Sequence, residues 1–160
     1  MLFRSIILQN VLRDFDLQIG QKQAHIRHSS LPTVHAVPLQ MNQLFYNLIG
    51  NALKFTRADQ PPAIDISWRP LPPAELKEHP ELNSGLSYVE LTFADQGVGI
   101  DPRFVERIFL IFQRLNNKQH FEGTGIGLAL CKRIVSNHQG EIYVRPNEGG
   151  GSRFHVLLPV

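Results

Sequence analysis

A single cysteine, Cys131, excludes an intrachain disulfide and any cysteine-based zinc site. It sits among apolar helix positions, so an inert buried thiol is expected. Charge of one sign is equally scarce. The net charge is +2, charged residues make up 19% of the chain, and no run of Lys or Arg exceeds two residues. Nucleic acid is therefore not the expected partner, although the basic residues can still serve a small anionic ligand. No apolar run approaches the length of a membrane span, and the N-terminus lacks a signal-peptide core followed by a small-residue cleavage site. The expectation is a cytoplasmic chain that meets a membrane only through other domains of a larger protein. Internal repeats and low-complexity tracts are also missing. So are the G-x-x-x-x-G-K-[ST] phosphate loop and a G-x-G-x-x-G opening a βαβ unit. The seven histidines (His25, His28, His35, His79, His120, His138 and His155) show no metal-ligand spacing, and each is expected at the surface or as a satisfied polar group. Cys131 and the serines have no sequence-visible base, so nucleophilic catalysis has no support.

What is present suits one globular domain. Hydrophobic residues are 42% of 160, enough for a sizeable core. Residues 1–19 have a loose helical period. Residues 23–28 and "TVHAV" read as short strands around "SSLP". From Leu39 to Thr56 an apolar face of Met41, Leu44, Phe45, Leu48, Ile49, Ala52, Leu53 and Phe55 marks the clearest helix. Residues 64–70 and 86–95 read as an antiparallel strand pair joined by a proline-rich connection. Asp101 and Pro102 look like the N-cap and first position of a short helix. A helix over 127–138 should end near Gly140 as its C′ residue. "EIYVRP" and "SRFHVLLP" close the chain as strands around "NEGGG". The expected fold is α+β, a two-layer α/β sandwich with one mixed sheet covered on one face by helices.

Three stretches carry chemistry. In "NLIGNALKF", Asn47, Asn51 and Lys54 fall at i, i+4 and i+7 on one helix face. An amide oxygen is a hard neutral ligand suited to Mg²⁺, and an ammonium is a point charge for phosphate. A solvated helix edge is the plain alternative. In "ADQGVGID", Asp95 ends a strand and Gly97 and Gly99 permit a tight turn around a ligand. A buried carboxylate there would accept from the amino group of adenine, whereas guanine presents a carbonyl. An ordinary Asp-x-Gly turn is the alternative. In "FEGTGIGLALCKRIV", Gly123, Gly125 and Gly127 feed a helix N-terminus, whose unpaired N–H groups and dipole favour an anion such as phosphate. A tight loop before a packing helix would look the same.

The ordered set resolves these alternatives together. N-x3-N-A-x-K-F, D-x-G-x-G-I, I-F-x-x-F-x-R, G-T-G-I-G-L and G-x-G-S-x-F-x-x-x-L-P follow in this order from Asn47 to Pro159, within a resemblance that extends from about Gln23. This resembles the catalytic ATP-binding domain of sensor histidine kinases, in a superfamily shared with DNA gyrase, mismatch-repair ATPases and a cytosolic chaperone. The resemblance implies that Asn51 holds Mg²⁺ with Asn47 assisting, and that Lys54 contacts phosphate oxygens. It implies an adenine pocket lined by Phe55, in which Asp95 binds the amino group, partly through water held by Ser152. Gly97, Gly99 and Ile100 would open a mobile ATP lid over roughly 101–122, anchored by Phe109 and Phe112. Arg114 would approach the γ-phosphate, and Gly123, Thr124, Gly125, Gly127 and Leu128 would close over the phosphates. The implied catalytic residues are Asn47, Lys54 and Arg114; the implied cofactors are ATP and Mg²⁺.

In the superfamily's hydrolases a glutamate takes the place of Asn47 and acts as general base. An asparagine has no useful basicity, so transfer to a well-placed imidazole is the implied reaction. The implied partners are a dimerisation domain carrying the acceptor histidine and a response-regulator receiver domain. No histidine here has the acceptor's context, and His28 in "RHSSLP" lacks the acidic neighbour. Residues 1–22 are accordingly expected as the trailing end of an upstream dimerisation helix or linker, and 23–160 as the catalytic domain. An ATP-hydrolysing relative, a nucleotide-binding regulatory module without transfer, and a serine/threonine kinase of the anti-sigma type are the alternatives.

Overall fold

The computed structural model describes residues 2–3, 6–110 and 126–160. Its centre is a five-stranded mixed sheet in the order β2-β4-β5-β7-β6. β2 (His25–His28) runs parallel to β4 (Ala63–Pro70); β5 (Tyr88–Asp95), β7 (Ser152–Pro159) and β6 (Glu141–Pro146) pair antiparallel along the rest. Strand side chains alternate in direction. One face of the sheet therefore carries Ile64, Ile66, Val89, Leu91, Phe93, Phe154, Val156 and Leu158, all buried in one core.

Helices cover that face. In α3 (Pro38–Lys54), Met41, Leu44, Phe45, Leu48, Ile49 and Leu53 recur at helical spacing and all are buried. Phe45 meets Phe93 of the sheet edge-to-face at 5.2 Å. α5 (Gly127–Asn137) adds Cys131, Ile134 and Val135 beside it. Cys131 is wholly buried, and burial pushes its thiol up to about 12, as an inert core residue requires. The expected sandwich and the expected antiparallel pair are both present.

The rest was less legible. Residues 6–22 form two helices, α1 (Ile6–Asp14) and α2 (Asp16–Lys22). Ile7, Leu8, Val11 and Phe15 enter the main core, Phe15 stacks on Tyr46 of α3 at 4.6 Å, and Lys22 Nζ donates to the Leu53 carbonyl at 2.6 Å. This segment thus packs with the domain. A two-residue strand β1 (Leu2–Phe3) pairs with β3 (Val34–His35) in a separate ribbon. The proline-rich connection contains a short helix, α4 (Pro73–Leu76). Leu71, Leu82, Tyr88 and Leu157 bury one end of the sheet's other face beneath it.

The end of α5 differs from expectation. His138 is the C-cap and Gln139, with φ 57°, takes the left-handed C′ position. Gln139 N–H donates to Ser136 and Gly140 N–H to Val135, the double bond pattern of a Schellman stop. Gly140 is needed for a different reason: any β-carbon there would collide with the Leu157 carbonyl of β7. Asp101 does cap, accepting from Arg103 N–H at 2.9 Å, but in place of an α-helix the chain then makes two 3₁₀ turns, Pro102–Phe104 and Arg107–Phe109.

Candidate functional site: a carboxylate at the end of β5

The C-terminal half of α3, the end of β5 and the start of α5 converge at one end of the helical layer. Asn47, Asn51 and Lys54 share one face of α3, as their spacing requires. Asn47 is engaged on both sides: Oδ1 accepts from Gln43 at 3.0 Å, and Nδ2 donates to the Gly127 carbonyl, the first residue of α5, at 3.2 Å. It ties the two helices at this end. Asn51 is half-buried and its amide bonds no described residue. Lys54 lies 5.4 Å from the centroid of the Phe55 ring. Ile126, which caps α5, supplies no side-chain bond to its first turn, and Leu128 packs against the core.

Asp95 is the last residue of β5 and points to the helical side of the sheet. Its Oδ1 accepts from Gly97 N–H at 2.9 Å and Ser152 N–H at 3.2 Å, whereas no described donor reaches Oδ2. Burial pushes the carboxyl above the usual range, against the opposing pull of those two backbone donors. Phe55 is joined to the same turn by its carbonyl, which accepts from Val98 N–H at 3.0 Å, and a side chain at Gly97 would strike that carbonyl. Gly99 lies against Gly151, and Ile100 packs on the core. Phe109 meets Phe154 edge-on at 6.4 Å. Phe112, Arg114, Gly123, Thr124 and Gly125 lie outside the described residues, with most of the expected lid.

Sequence reasoning missed how the turn after β5 is held. Three consecutive main-chain carbonyls each accept from a side chain: Asp95 from Asn147 Nδ2 at 2.8 Å, Gln96 from Gln60 Nε2 at 3.1 Å, and Gly97 from Arg57 Nε at 3.1 Å. Arg57 and Gln60 come after α3 in the chain, and Asn147 begins the β6–β7 turn. Nothing in their local patterns marks them, because the partners are distant in sequence.

The buried carboxylate, the polar face of α3 and the first turn of α5 thus meet at one end of an α+β two-layer sandwich. The sequence profile of the family described as "Histidine kinase-, DNA gyrase B-, and HSP90-like ATPase" matches residues 36–160, and the chain belongs to that family. It is 42% identical over 153 residues to cyanobacterial phytochrome A of Nostoc sp. PCC 7120, covering 96% of this chain and 18% of that protein. It is 38% identical over 130 residues to the adaptive-response sensory kinase SasA of a Synechococcus strain, covering 81% of this chain and 30% of that one. The chain thus spans under a third of the length of these curated relatives. Among solved structures, the catalytic domain of histidine kinase ThkA superposes with a TM-score of 0.77 at 21% identity, over 99% of this chain and 94% of that one.

Proposed function

We propose that this chain binds Mg·ATP and passes the γ-phosphoryl group to a histidine on a separate dimerisation domain, from which a response-regulator receiver domain would take it. The observation that carries the reading is Asp95, a desolvated carboxylate with one oxygen held by two backbone N–H groups and the other bonded by no described residue. Such an oxygen suits the exocyclic amino group of adenine and opposes the carbonyl that guanine presents there. Phe55 and Ile100 would wall the base, and Ser152 would hold water beside it. Gly97 and Gly99 would turn the chain out of the pocket toward the lid.

The phosphates would extend toward α3 and the N-terminus of α5. There Lys54 supplies charge and the first-turn N–H groups, from Gly127 and Leu128 onward, supply donors. Gly123, Thr124 and Gly125 would complete that cradle. The Asn51 amide, which bonds no described residue, fits Mg²⁺, which prefers hard oxygen ligands and would neutralise the phosphate charge when bound. Asn47 would assist only by exchanging its bond from Gln43. Neither asparagine is a base, so this chain's contribution is orientation and charge, with Arg114 approaching the γ-phosphate. Residues 1–22 would join the domain to the dimerisation domain while α1 stays docked on α3. The chain would act in the cytoplasm, where ATP is supplied. No helix among the described residues is long and apolar enough to cross a membrane.

Calorimetric titration with ADP and GDP, with and without Mg²⁺, tests the binding half. ADP should be preferred, and Asp95→Asn should abolish the preference; an indifferent variant overturns the adenine assignment. The transfer half is tested by mixing the chain with γ-labelled ATP and the dimerisation domain of the full-length protein. Acid-labile label on that domain is expected, and release of free phosphate alone would instead mark a hydrolase.

A further inference from the structure

We infer that Arg57 is a positioning residue for Asp95, a brace that fixes the spacing of the two N–H groups holding its carboxylate. This rests on the adenine-binding reading above and adds a residue that reading does not use. The two donors belong to different loops. Gly97 N–H comes from the turn after β5, and Ser152 N–H comes from the exit of the β6–β7 turn. Arg57, entering from the end of α3, touches both loops. Its Nε donates to the Gly97 carbonyl at 3.1 Å, and its Nη2 lies against Gly150, two residues before Ser152. The approach is so close that a methyl group on Gly150 would fall onto Nη2, and Gly150 has φ 113°, so the turn is shaped around this contact.

Nη1 and Nη2 bond no described residue, and no carboxylate among the described residues pairs with the guanidinium. A side chain that merely neutralised a charge would have an acidic partner. This one instead sets its Nε on a main-chain carbonyl and its Nη2 end against a glycine. Asn147 Nδ2, donating to the Asp95 carbonyl from the other side, completes the frame. With both loops fixed, Oδ1 is held from two directions and Oδ2 keeps one heading. Loosening either loop lets the carboxylate swing, which harms purine discrimination more than it harms folding.

The test is ADP and GDP titration of the wild-type chain, Arg57→Ala, Arg57→Lys, Gly150→Ala and the Arg57→Ala/Gly150→Ala pair, with melting temperatures alongside. Arg57→Ala should weaken ADP about tenfold, the size of one lost bond to a charged group, and narrow the ADP-over-GDP ratio. Arg57→Lys should behave like Arg57→Ala, because an ammonium keeps the charge without the flat fork. Gly150→Ala strains the backbone at φ 113° in either background, so the brace is read from the excess: the cost to ADP affinity should be larger in the wild type than in Arg57→Ala, a non-additive cycle. The amides of Gly97 and Ser152 should also exchange faster in Arg57→Ala without nucleotide. Full affinity in Arg57→Lys would overturn the brace in favour of simple charge attraction, and an unchanged purine ratio in Arg57→Ala would reduce it to a structural contact. A wild-type chain that ignores ADP would remove the binding reading itself, whereas a binding wild type with indifferent variants removes only the brace.

Discussion

His138 joins the end of α5 to the start of α3: its Nε2 accepts from Val37 N–H at 3.0 Å while its Nδ1 donates to the Ile134 carbonyl at 2.7 Å. These two bonds together set which ring nitrogen donates and which accepts. Val37 is the N-cap of α3 and offers no side-chain cap of its own, so the histidine serves the helix that carries Asn47 and Asn51. Replacing it, His138→Ala, should lower stability by about 1–2 kcal/mol, because the Val37 donor loses its partner. Urea unfolding would read this directly, and an unchanged midpoint would mean that water replaces the ring at no cost.

Asp95 should show binding and stability moving in opposite directions. Burial holds its pKa above the ordinary 3.8, so the ionised form present at neutral pH is the one the fold disfavours. Stability linked to this group is complete at low pH and is lost as pH rises through the raised pKa. Asp95→Asn retains an oxygen for Gly97 and Ser152 while removing the charge. Its melting temperature without nucleotide should equal or exceed that of the wild type, although ADP binding falls more than about tenfold. A clearly lower melting temperature would show that the carboxylate stabilises the free fold. In the wild type, ADP affinity should fall on acidification while pH is still above the usual carboxylate range.

On the opposite face of the sheet, His155 is 8% exposed and neither ring nitrogen makes a hydrogen bond among the described residues. It stacks on Tyr143 at 4.6 Å, and its Nδ1 lies 3.3 Å from Glu90 Oε1, off the bonding direction. Burial pushes its pKa below 6.5, helped by Arg145 and Arg153 and opposed by Glu90. The unfolded chain takes up the proton first, so the contribution is complete above the usual imidazole range and is lost as pH falls through it. The wild-type urea midpoint should therefore drop between about pH 7 and about pH 5, and less so in His155→Phe, which keeps the stack without the charge. Parallel pH profiles would rule this group out as the cause.

The wholly buried Phe45 holds α3 to the sheet through its contact with Phe93. Phe45→Ala should cost about 3–5 kcal/mol in urea unfolding. A loss near 1 kcal/mol would mean that neighbouring side chains collapse into the space.

The elements whose pattern repeats locally were legible in the sequence. The stripe of α3, the alternation of β4 and β5, and the spacing of Asn47, Asn51 and Lys54 each come from periodicity alone. The Asp95 turn was legible because aspartate and glycine mark a strand exit. Long-range contacts were not. Phe15 stacked on Tyr46, Lys22 on the Leu53 carbonyl, and Arg57, Gln60 and Asn147 on successive carbonyls all join residues separated by dozens of positions. His155 was expected to be solvated or satisfied; its burial comes from the sheet's other face being half covered by the 71–87 connection and by Tyr143. Gly140 was read as the C′ residue of α5 because glycine commonly takes that place, and only the approach of β7 reveals the other reason for it.

The alternation of β5 has a consequence for how such a chain can vary. Asp95 lies opposite Ile64 and shares a sheet face with Phe93, Leu91 and Val89. Adding or deleting one residue inside the strand would turn the carboxylate to the far side of the sheet, beside Thr92 and Arg153, with no other change in sequence. The position of this acceptor is thus a matter of odd and even counting along β5. A change of length should be tolerated only where counting does not matter, such as the connection from Leu71 to Ser87, which can be lengthened without shifting the parity of the strand beyond it.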